Sequence, residues 1–344
     1  MPASVANVLV IRRRYLGDLV LLGPVFRNLR LCWPHARLTA LVEPAYAPVL
    51  TLNPDVDEIL SLPERARAWP GFLARLRRAH FTHVFDLDNN DRTALITRCT
   101  GADLRAVVWH EGPRPRWRAA YTAAVHHPPE LHERSHMIEY YLAALAPAGV
   151  PLVSRETRLV PRPADIAATQ RLVPPGGRRL LVHPGSRSAA RIWPAENFAA
   201  VCDRVQQELG VPVVLVGGPG EREFIQDIRR HARTHVNAID GPLTIPQFAA
   251  LAAQFDLLLC HDSGPMHVAA AVGTPVVALL SSQNPVLFAP TGAGHALLQP
   301  PLPCGAACVA PGVCVPGDSS RTLCVRRLTV DTVYPALASR LRRG

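Results

Sequence analysis

Short apolar runs alternate with amphipathic stretches along the chain, and the alternation occurs in two halves. In the first half, apolar runs at residues 7–12, 37–43, 56–60, 83–87 and 104–108 predict strands, and helical periodicity separates most of them, first over residues 18–31. Strands separated by helices pair in parallel through right-handed crossovers. The pattern therefore predicts an α/β fold with a doubly wound, mostly parallel sheet.

The alternation is interrupted and then restarts, which predicts a second domain. Residues 110–133 form an irregular stretch rich in arginine and histidine, a helix is predicted over 135–146, and a proline-bearing passage covers 151–175. Strand and helix patterns resume at residue 179, and they include predicted helices over residues 195–209 and 266–272. The predicted segments are a first domain over 1–160, a second over 161–328, and a last helix within 329–344 that returns to the first domain.

Charge and composition narrow the class of protein. The 344 residues include 37 basic and 27 acidic ones, for a formal net charge of +10, and every basic residue is arginine. The lack of lysine excludes a catalytic lysine, a Schiff base and a P-loop lysine. The same bias makes arginine abundance a weak argument for any particular partner.

The sequence shows neither a membrane span nor a secretory signal. The longest apolar runs, such as 211–216 and 276–280, fall far short of the roughly 18 residues that a transmembrane helix needs. The N-terminus lacks a charged region followed by an apolar stretch and a cleavage site. We therefore expect a cytoplasmic protein.

The first candidate site follows the first predicted strand, where residues 12–18 read RRRYLGD. Ligands of open α/β sheets bind at the carboxyl ends of strands, so Asp18 is placed to meet a substrate. Its carboxylate could take a proton from an acceptor hydroxyl group. The neighbouring arginines would attract an anion and hold the pKa of Asp18 low. A role as helix N-cap explains Asp18 equally well.

The second candidate site follows a strand of the other half, where residues 183–194 read HPGSRSAARIWP. Gly185 and Ser186 offer backbone N–H groups and a hydroxyl, and Arg187 and Arg191 offer charge. These groups suit the oxygens of a pyrophosphate. The Gly-Lys-Ser/Thr element of a P-loop is missing, and an ordinary polar loop is the alternative interpretation.

The third candidate site is the turn after the next strand, in VVLVGGPGERE. Glu221 or Glu223 stands near the start of the following helix, where an acidic side chain can bind both hydroxyls of a ribose. A favourable charge at a helix start is the alternative explanation for either residue.

The fourth and most specific candidate is residues 260–280, CHDSGPMHVAAAVGTPVVALL. A hydrophobic strand ends, Asp262 opens a turn, and a helix of small residues carries His267. The amide groups at the start of such a helix, with Ser263 and Gly264, could bind a diphosphate. A structural histidine is the alternative interpretation of His267.

This fourth stretch resembles the signature of glycosyltransferase family 9, the ADP-heptose:lipopolysaccharide heptosyltransferases, in the string HDSGPMHVAAAVGTPVVAL. Other stretches resemble that family in its order along the chain. They are VIRRRYLGDLVLLGPVFRNL, HMIEYYLAALAPAGV, HPGSRSAARIWP and VVLVGGPGERE. The resemblance therefore covers nearly the whole chain.

The resemblance implies a GT-B fold, in which two Rossmann-like domains face each other across a cleft, the first taking the acceptor and the second the nucleotide-sugar. Asp18 matches the family's catalytic aspartate, the general base. Arg191 stands where the family usually has a lysine that meets the diphosphate, Ser186 lies in the phosphate-contacting turn, and Glu221 matches the ribose-binding acid. The residues that match the donor-site turn and helix are Asp262, Ser263, Gly264 and His267.

Two positions depart from the family's pattern. Arg14 stands four residues before Asp18, where the family often has serine. Arg191 replaces lysine with a bulkier group that binds in a bidentate way. Both departures leave the exact donor sugar and acceptor open.

The resemblance implies transfer of a sugar, which we expect to be heptose from ADP-heptose, to a hydroxyl group of a lipopolysaccharide core or another envelope glycan. The expected partners are this nucleotide-sugar and a phosphorylated glycolipid or glycan, and no nucleic acid, since few aromatic residues lie among the arginines. The candidate acceptor-binding residues are Arg14, Arg114, Arg116 and Arg118. The basic stretch 114–118 would also suit peripheral contact with the cytoplasmic face of the inner membrane, and a solvated basic loop is the alternative.

Two groups of residues resemble metal-binding sites, but we assign a metal to neither. Asp86 and Asp88 resemble a metal-binding DxD pair, but carboxylates at a strand end also cap helices and bind waters. The cysteines that could hold zinc are Cys304, Cys308, Cys314 and Cys324. They lack the paired two-residue spacing of common zinc sites. We expect a metal-independent enzyme without a cofactor.

Other functions fit parts of the same pattern. A nucleotide-sugar epimerase or a different GT-B transferase would use the same donor motifs. A non-enzymatic anion-binding protein would use the arginines and loops without turnover, and it would bind with a steep salt dependence.

Overall fold

The computed structural model describes residues 6–112, 117–187, 191–239, 241–281, 284–300 and 324–342. The chain divides into two compact units. The N-terminal unit comprises Met1–Val160 and Val286–Phe288, and the C-terminal unit comprises Pro161–Pro285 and Ala289–Gly344.

In the described part of the N-terminal unit, six strands form one parallel sheet. The strands are β1 (Asn7–Ile11), β2 (Arg37–Val42), β3 (Glu58–Ser61), β4 (His83–Asp86), β5 (Leu104–Trp109) and β6 (Ala123–His126). They lie in the order β3-β2-β1-β4-β5-β6, and all neighbours are parallel. Residues Val8 to Ile11 of β1 are completely buried, as a central strand covered on both faces requires.

The described residues of the C-terminal unit form a second parallel sheet of six strands. These are β7 (Leu180–His183), β8 (Val213–Leu215), β9 (Asn237–Ala238), β10 (Leu257–His261), β11 (Val276–Leu279) and β12 (Ala296–Leu298). Their order is β12-β11-β10-β7-β8-β9, again with parallel neighbours. In both sheets the strand order therefore reverses beside the first strand of the unit. This is the strand order of the Rossmann fold. This confirms the predicted class of two Rossmann-like, doubly wound parallel sheets.

Helices connect the strands of each sheet. In the N-terminal unit they are α1 (Leu16–Leu21), α2 (Gly23–Cys32), α3 (Ala47–Leu50), α4 (Trp69–Arg78), α5 (Asp91–Thr100), α6 (Pro129–Arg134) and α7 (Met137–Ala143). In the C-terminal unit they are α8 (Pro163–Gln170), α9 (Ala195–Leu209), α10 (Arg222–His231), α11 (Ile245–Ala252), α12 (Gly264–Ala271) and α13 (Val330–Arg342). Among the described helices, none is long and apolar enough to cross a bilayer.

Local sequence explains where several of these helices begin and end. The Asn90 side chain caps α5 by accepting the N–H groups of Arg92 and Thr93, and Gly101 ends the helix with a φ of 69°. Thr244 and Gln247 form a reciprocal capping box at the start of α11.

Three sequence predictions of elements are corrected. The single helix expected from Asp18 to Leu31 is two helices, α1 and α2, which meet at Leu22 before a Gly-Pro pair. Strand β6 lies inside the stretch expected to be irregular, and β12 was not predicted. The last helix does not return to the first unit: Val333 and Leu337 of α13 join Trp193 and Phe198 in the core of the C-terminal unit.

Candidate active site

The candidate residues lie where each sheet changes direction. In the N-terminal sheet this point is between β1 and β4, and in the C-terminal sheet it is between β7 and β10. Loops at the carboxyl ends of the two flanking strands diverge there and leave room for a ligand. The RRRYLGD turn follows β1. In the other unit, the HPGS turn begins at the end of β7, and the HDSG turn begins at the end of β10.

Asp18 lies in the first turn of α1, and its carboxylate accepts three hydrogen bonds. Its Oδ1 accepts hydrogen bonds from Arg12 Nη2 at 2.7 Å and from the Tyr141 hydroxyl at 2.6 Å. Its Oδ2 accepts the backbone N–H of Tyr15, the N-cap residue, at 2.9 Å. Asp18 is therefore the third residue of the helix and not its N-cap, and its side chain supports the N-terminus from within the first turn.

These contacts keep Asp18 ionised. Burial alone would raise its pKa, but the charge of Arg12 and the hydrogen bonds from Tyr141 and Tyr15 hold the pKa of Asp18 below its usual value. The side chain keeps 14% of its surface exposed, enough for a substrate atom to reach it. The expectation that a neighbouring arginine lowers this pKa is confirmed for Arg12.

Two of the three arginines after β1 are paired within the protein. Arg12 Nη1 donates to Asp88 Oδ1 at 3.1 Å, and Arg13 Nε donates to Asp88 Oδ2 at 2.7 Å. Arg13 also contacts Glu43 at 3.3 Å. Arg12 and Arg13 thus pair with carboxylates of the scaffold, and the expectation that they attract an anionic ligand stays a prediction.

The Asp86–Asp88 pair ends β4 and is likewise used by the protein. Asp86 is completely buried, and its carboxylate accepts the Tyr121 hydroxyl at 2.7 Å and the Asp88 N–H at 3.0 Å. Burial raises the pKa of Asp86 to about 6 against these hydrogen bonds. Both carboxylates therefore have structural partners of their own.

The candidate acceptor arginines fall in different places. Arg14 is exposed, and its guanidinium carbon lies 5.0 Å from the centre of the Tyr15 ring. Arg118 donates to the Tyr121 carbonyl at 2.8 Å, and no contact among the described residues joins it to Asp18. Arg114 and Arg116 lie outside the described residues.

In the C-terminal unit, Glu221 packs directly against the HPGS turn. A β-carbon placed on Gly185 would lie 2.5 Å from Glu221 Cγ, so only glycine permits this approach. Glu221 also packs against Gly217 and Gly218 in its own turn. A β-carbon placed on Gly217 would lie 2.9 Å from Glu221 Cβ, and one placed on Gly218 would lie 3.0 Å from Glu221 Oε2. Glu223, the other acidic candidate, is exposed on α10. The structure therefore joins Glu221 to the second candidate site.

Arg191 and Asp262 meet across the same site. Burial raises the pKa of Asp262, and the positive charge of Arg191 opposes that rise, so Arg191 lies near enough to Asp262 to act on its charge. Ser186 is partly buried in the turn after β7, and Arg187 is exposed beside it. The donor motifs on β7, β8 and β10 are thus brought together at one edge of one sheet.

His261 joins the two described ends of the segment between β7 and α9, residues 184–187 and 191–194, called here the β7–α9 loop. Its Nε2 accepts the Trp193 N–H at 2.9 Å, so its Nδ1 carries the proton and donates to the Gly185 carbonyl at 3.4 Å. Burial lowers the pKa of His261 to about 3, which keeps the ring neutral. One buried side chain therefore ties together both ends of the loop.

The start of α12 completes the C-terminal site. The helix begins at Gly264, two residues earlier than the sequence predicted, and Ser263 is its N-cap. The Ser263 hydroxyl donates to the His261 carbonyl at 3.2 Å and does not cap the helix. His267 lies in the first turn and is 5% exposed. The helix start thus points backbone N–H groups past the turn at Asp262.

Of the four cysteines considered as zinc ligands, the structure describes one. Cys304, Cys308 and Cys314 lie outside the described residues, whereas Cys324 is buried. Among the residues that the structure does describe, no group of three or more histidine, cysteine or acidic side chains could hold a metal ion.

Sequence reasoning missed three side chains that position the site. Tyr141, Asp88 as the partner of two arginines, and His261 were not singled out for these roles. Tyr141 is 123 residues from Asp18, so no local motif links them. His261 stood within the HDSG string, and its place at a buried strand end was the signal available for it.

The chain is similar to known proteins of one family. A profile of the family described as glycosyltransferase family 9 (heptosyltransferase) matches residues 71–309. The chain is similar to lipopolysaccharide heptosyltransferase 3 of Escherichia coli, with 25% identity over 291 residues, covering 80% of this chain and 84% of that protein.

Solved structures show the same fold. A glycosyl transferase family 9 protein from Veillonella parvula superposes with a TM-score of 0.84 at 22% identity, covering 99% of this chain and 98% of that one. The Escherichia coli ADP-heptose lps heptosyltransferase II gives a TM-score of 0.78 at 21% identity, covering 97% and 98%. The fold is the GT-B fold. Because the profile covers well over half of the chain, the protein belongs to glycosyltransferase family 9 and is a glycosyltransferase.

Proposed function

We propose that the protein transfers a heptose from ADP-heptose to a hydroxyl group of a lipopolysaccharide-core acceptor. The relatives support this by their names, which describe lipopolysaccharide heptosyltransferases and an enzyme that uses ADP-heptose. Membership in a transferase family sets aside the epimerase and the non-enzymatic anion-binding protein.

The nucleoside of the donor has a place in the C-terminal unit. A recess of about 210 Å³ is lined by Gly217, Gly218 and Ile239, among others. The same two glycines pack against Glu221, so the recess and the Glu221 carboxylate share a wall. We assign the base to this recess and the ribose hydroxyls to Glu221, because a carboxylate accepts both of them.

The diphosphate would lie along the β7–α9 loop. Arg191 brings a guanidinium, Ser186 a hydroxyl, and the start of α12 backbone N–H groups. Such groups stabilise the charge that develops on the departing diphosphate, and they do so most effectively when they are fixed beforehand. The hydrogen bonds of His261 to Trp193 and Gly185 would hold these groups in place before the donor binds.

Asp18 would act as the general base. Its pKa is held below its usual value by Arg12 and two hydrogen bonds, so the carboxylate is ionised at neutral pH and able to accept a proton. The acceptor oxygen would attack the anomeric carbon as it loses its proton. A single displacement of this kind inverts the anomeric centre.

The acceptor is expected to carry phosphate. The exposed arginines Arg14 and Arg118 are the described candidates to meet it. A lipid-linked acceptor would also bring the protein to the cytoplasmic surface of the membrane, where a formal charge of +10 favours anionic lipid.

The observation that carries the proposal is the close approach of Glu221 to Gly185, which joins the turn after β8 to the HPGS turn after β7. The test measures ADP release from ADP-heptose with and without a lipopolysaccharide-core acceptor. We expect release that requires the acceptor and is unaffected by EDTA. A changed sugar still attached to its nucleotide, or no release with any acceptor, would contradict the proposal.

A pair of variants tests the donor site itself. Glu221→Gln removes a charged acceptor for two ribose hydroxyls, so we expect the KM for ADP-heptose to rise about tenfold or more. Glu223→Gln is the matched control, since Glu223 is two residues away and exposed, and its KM should stay near that of the wild type. Equal effects of both substitutions would show that Glu221 has no special role.

A further inference from the structure

The two oxygens of Asp18 are not equivalent. Oδ1 accepts two side-chain hydrogen bonds, from Arg12 and from Tyr141, and these use both of its lone pairs. For Oδ2, the described part of the chain supplies one donor, the Tyr15 N–H. One lone pair of Oδ2 is therefore left for a substrate.

Tyr141 is built to remain a donor to Oδ1. Its side chain is completely buried in α7, and its hydroxyl lies 2.6 Å from Asp18. Burial raises the pKa of Tyr141 well above its usual value, so the phenol keeps its proton across the working range of pH. The Arg12 guanidinium lies 5.4 Å from the centre of the same ring, so both donors to Oδ1 pack against each other.

The neighbouring tyrosine on the same helix has a different partner. Tyr140 donates its hydroxyl to the Val108 carbonyl on β5 at 3.0 Å. It is also buried, with 7% of its surface exposed. Tyr140 and Tyr141 are thus chemically matched, and Tyr141 alone of the two donates to the carboxylate.

We infer that Tyr141 is a positioning residue for the base, which holds Oδ1 together with Arg12 and so directs Oδ2 to the acceptor hydroxyl. The inference rests on the proposed role of Asp18. In the step itself, the O–H bond of the acceptor breaks and its proton passes to Oδ2. The acceptor oxygen then forms the bond to the anomeric carbon, and the leaving diphosphate takes the electron pair of the bond that breaks.

Loss of the Tyr141 hydroxyl has two expected consequences. The carboxylate gains a free lone pair on Oδ1 and can rotate away from the productive orientation, which lowers kcat. A hydrogen bond that favours the ionised form is also lost, so the acid limb of the pH–rate profile moves to higher pH. Neither effect changes the binding of ADP-heptose by the C-terminal unit.

The experiment compares Tyr141→Phe with Tyr140→Phe in the full-length enzyme. For Tyr141→Phe we expect kcat to fall about ten- to a hundredfold, the KM for ADP-heptose to stay unchanged, and the acid limb to shift upwards. Tyr140→Phe should leave the acid limb where it is in the wild type. Thermal unfolding at each pH restricts the comparison to conditions in which all variants are folded.

The results separate this inference from the proposed function. If Asp18→Asn loses turnover but the acid limb of Tyr141→Phe coincides with that of Tyr140→Phe, the positioning role is wrong and the base assignment stands. If Asp18→Asn retains turnover, the base assignment itself fails. Should Tyr141→Phe be too unstable to assay, its effect on the unfolding midpoint is measured with and without Asp18→Asn, and identical effects in both backgrounds would overturn the inference.

Discussion

Two carboxylates at the switch point of the N-terminal sheet show how neighbours set the chemistry of one residue type. Asp18 is partly exposed and its pKa lies below the usual value, because Arg12 and hydroxyl and amide donors outweigh its burial. Asp86 is completely buried among uncharged donors, and burial raises its pKa to about 6. The first is suited to accept a proton from a substrate, and the second supports the strand end on which Asp88 lies.

The pKa of Asp86 predicts a pH dependence of stability. Its folded value of about 6 exceeds the value of about 3.9 expected for an unfolded chain, so between these two the folded state binds the proton more tightly. Stability from this group is therefore complete below about pH 4 and falls by roughly 3 kcal/mol as the pH rises through 6. Asp86→Asn cannot titrate and should lack this component.

The measurement is the thermal unfolding midpoint of wild type and Asp86→Asn from pH 4.5 to 8. We expect the difference to move in favour of the variant as the pH rises, and to become constant above about pH 7. Parallel curves for the two proteins would show that Asp86 does not bind its proton more tightly in the folded state.

Residue-scale prediction from sequence succeeds where a motif is local. Asp18 and Glu221 each follow a strand end by a short turn, and the structure places Asp18 at the switch point after β1 and Glu221 after β8, packed against Gly185. The N-cap alternative for Asp18 was wrong, since Tyr15 takes that position. Tyr141 was out of reach because its contact with Asp18 depends on how α7 packs, not on any spacing along the chain.

At the scale of elements, the β7–α9 loop is the part on which the proposed donor site depends most. It carries Ser186 and Arg191, and its ends are joined by the neutral ring of His261. Trp193 adds a second attachment, donating its indole N–H to the Leu328 carbonyl at 2.7 Å. We therefore expect these two ends of the loop, at Gly185 and Trp193, to be held in place before the donor binds.

His261→Phe tests that attachment. The substitution leaves the Trp193 N–H and the Gly185 carbonyl without their partner, so unfolding should become easier by about 1–3 kcal/mol. The loop would then pay an ordering cost on binding, and the affinity for ADP, measured by calorimetry, should fall. His261→Asn keeps a donor and an acceptor and should lose less affinity. ADP binding by His261→Phe that equals the wild type would contradict this role of the loop.

Elements were predicted best where their periodicity is long and their burial complete. The helix over residues 195–209 has the predicted bounds, because it buries a continuous apolar face. Strands β6 and β12 have only four and three residues, with partly buried or exposed side chains, so their apolar runs are too short to predict a strand. The prediction placed the final helix in the wrong unit. Amphipathic periodicity shows that one face of a helix is buried, but it does not show which elements cover that face.

At the scale of the whole molecule, the two units repeat one strand order, and the proposed mechanism draws its groups from both. In each sheet the strand order reverses beside the first strand of the unit, and candidate groups lie near each reversal. The proposed base and the residues proposed to position it belong to the N-terminal unit, and the groups assigned to the donor belong to the C-terminal unit. Donor binding and proton removal are therefore expected to respond to different substitutions.

The measurement that tests this account most directly is the turnover of Asp18→Asn beside its affinity for ADP. The account predicts that turnover falls by about 10²–10⁴-fold while the dissociation constant for ADP stays within about twofold of the wild type. Asp91→Asn, which changes an acidic residue in the first turn of α5, is the control and should keep turnover. Turnover of Asp18→Asn close to that of the wild type would contradict the account.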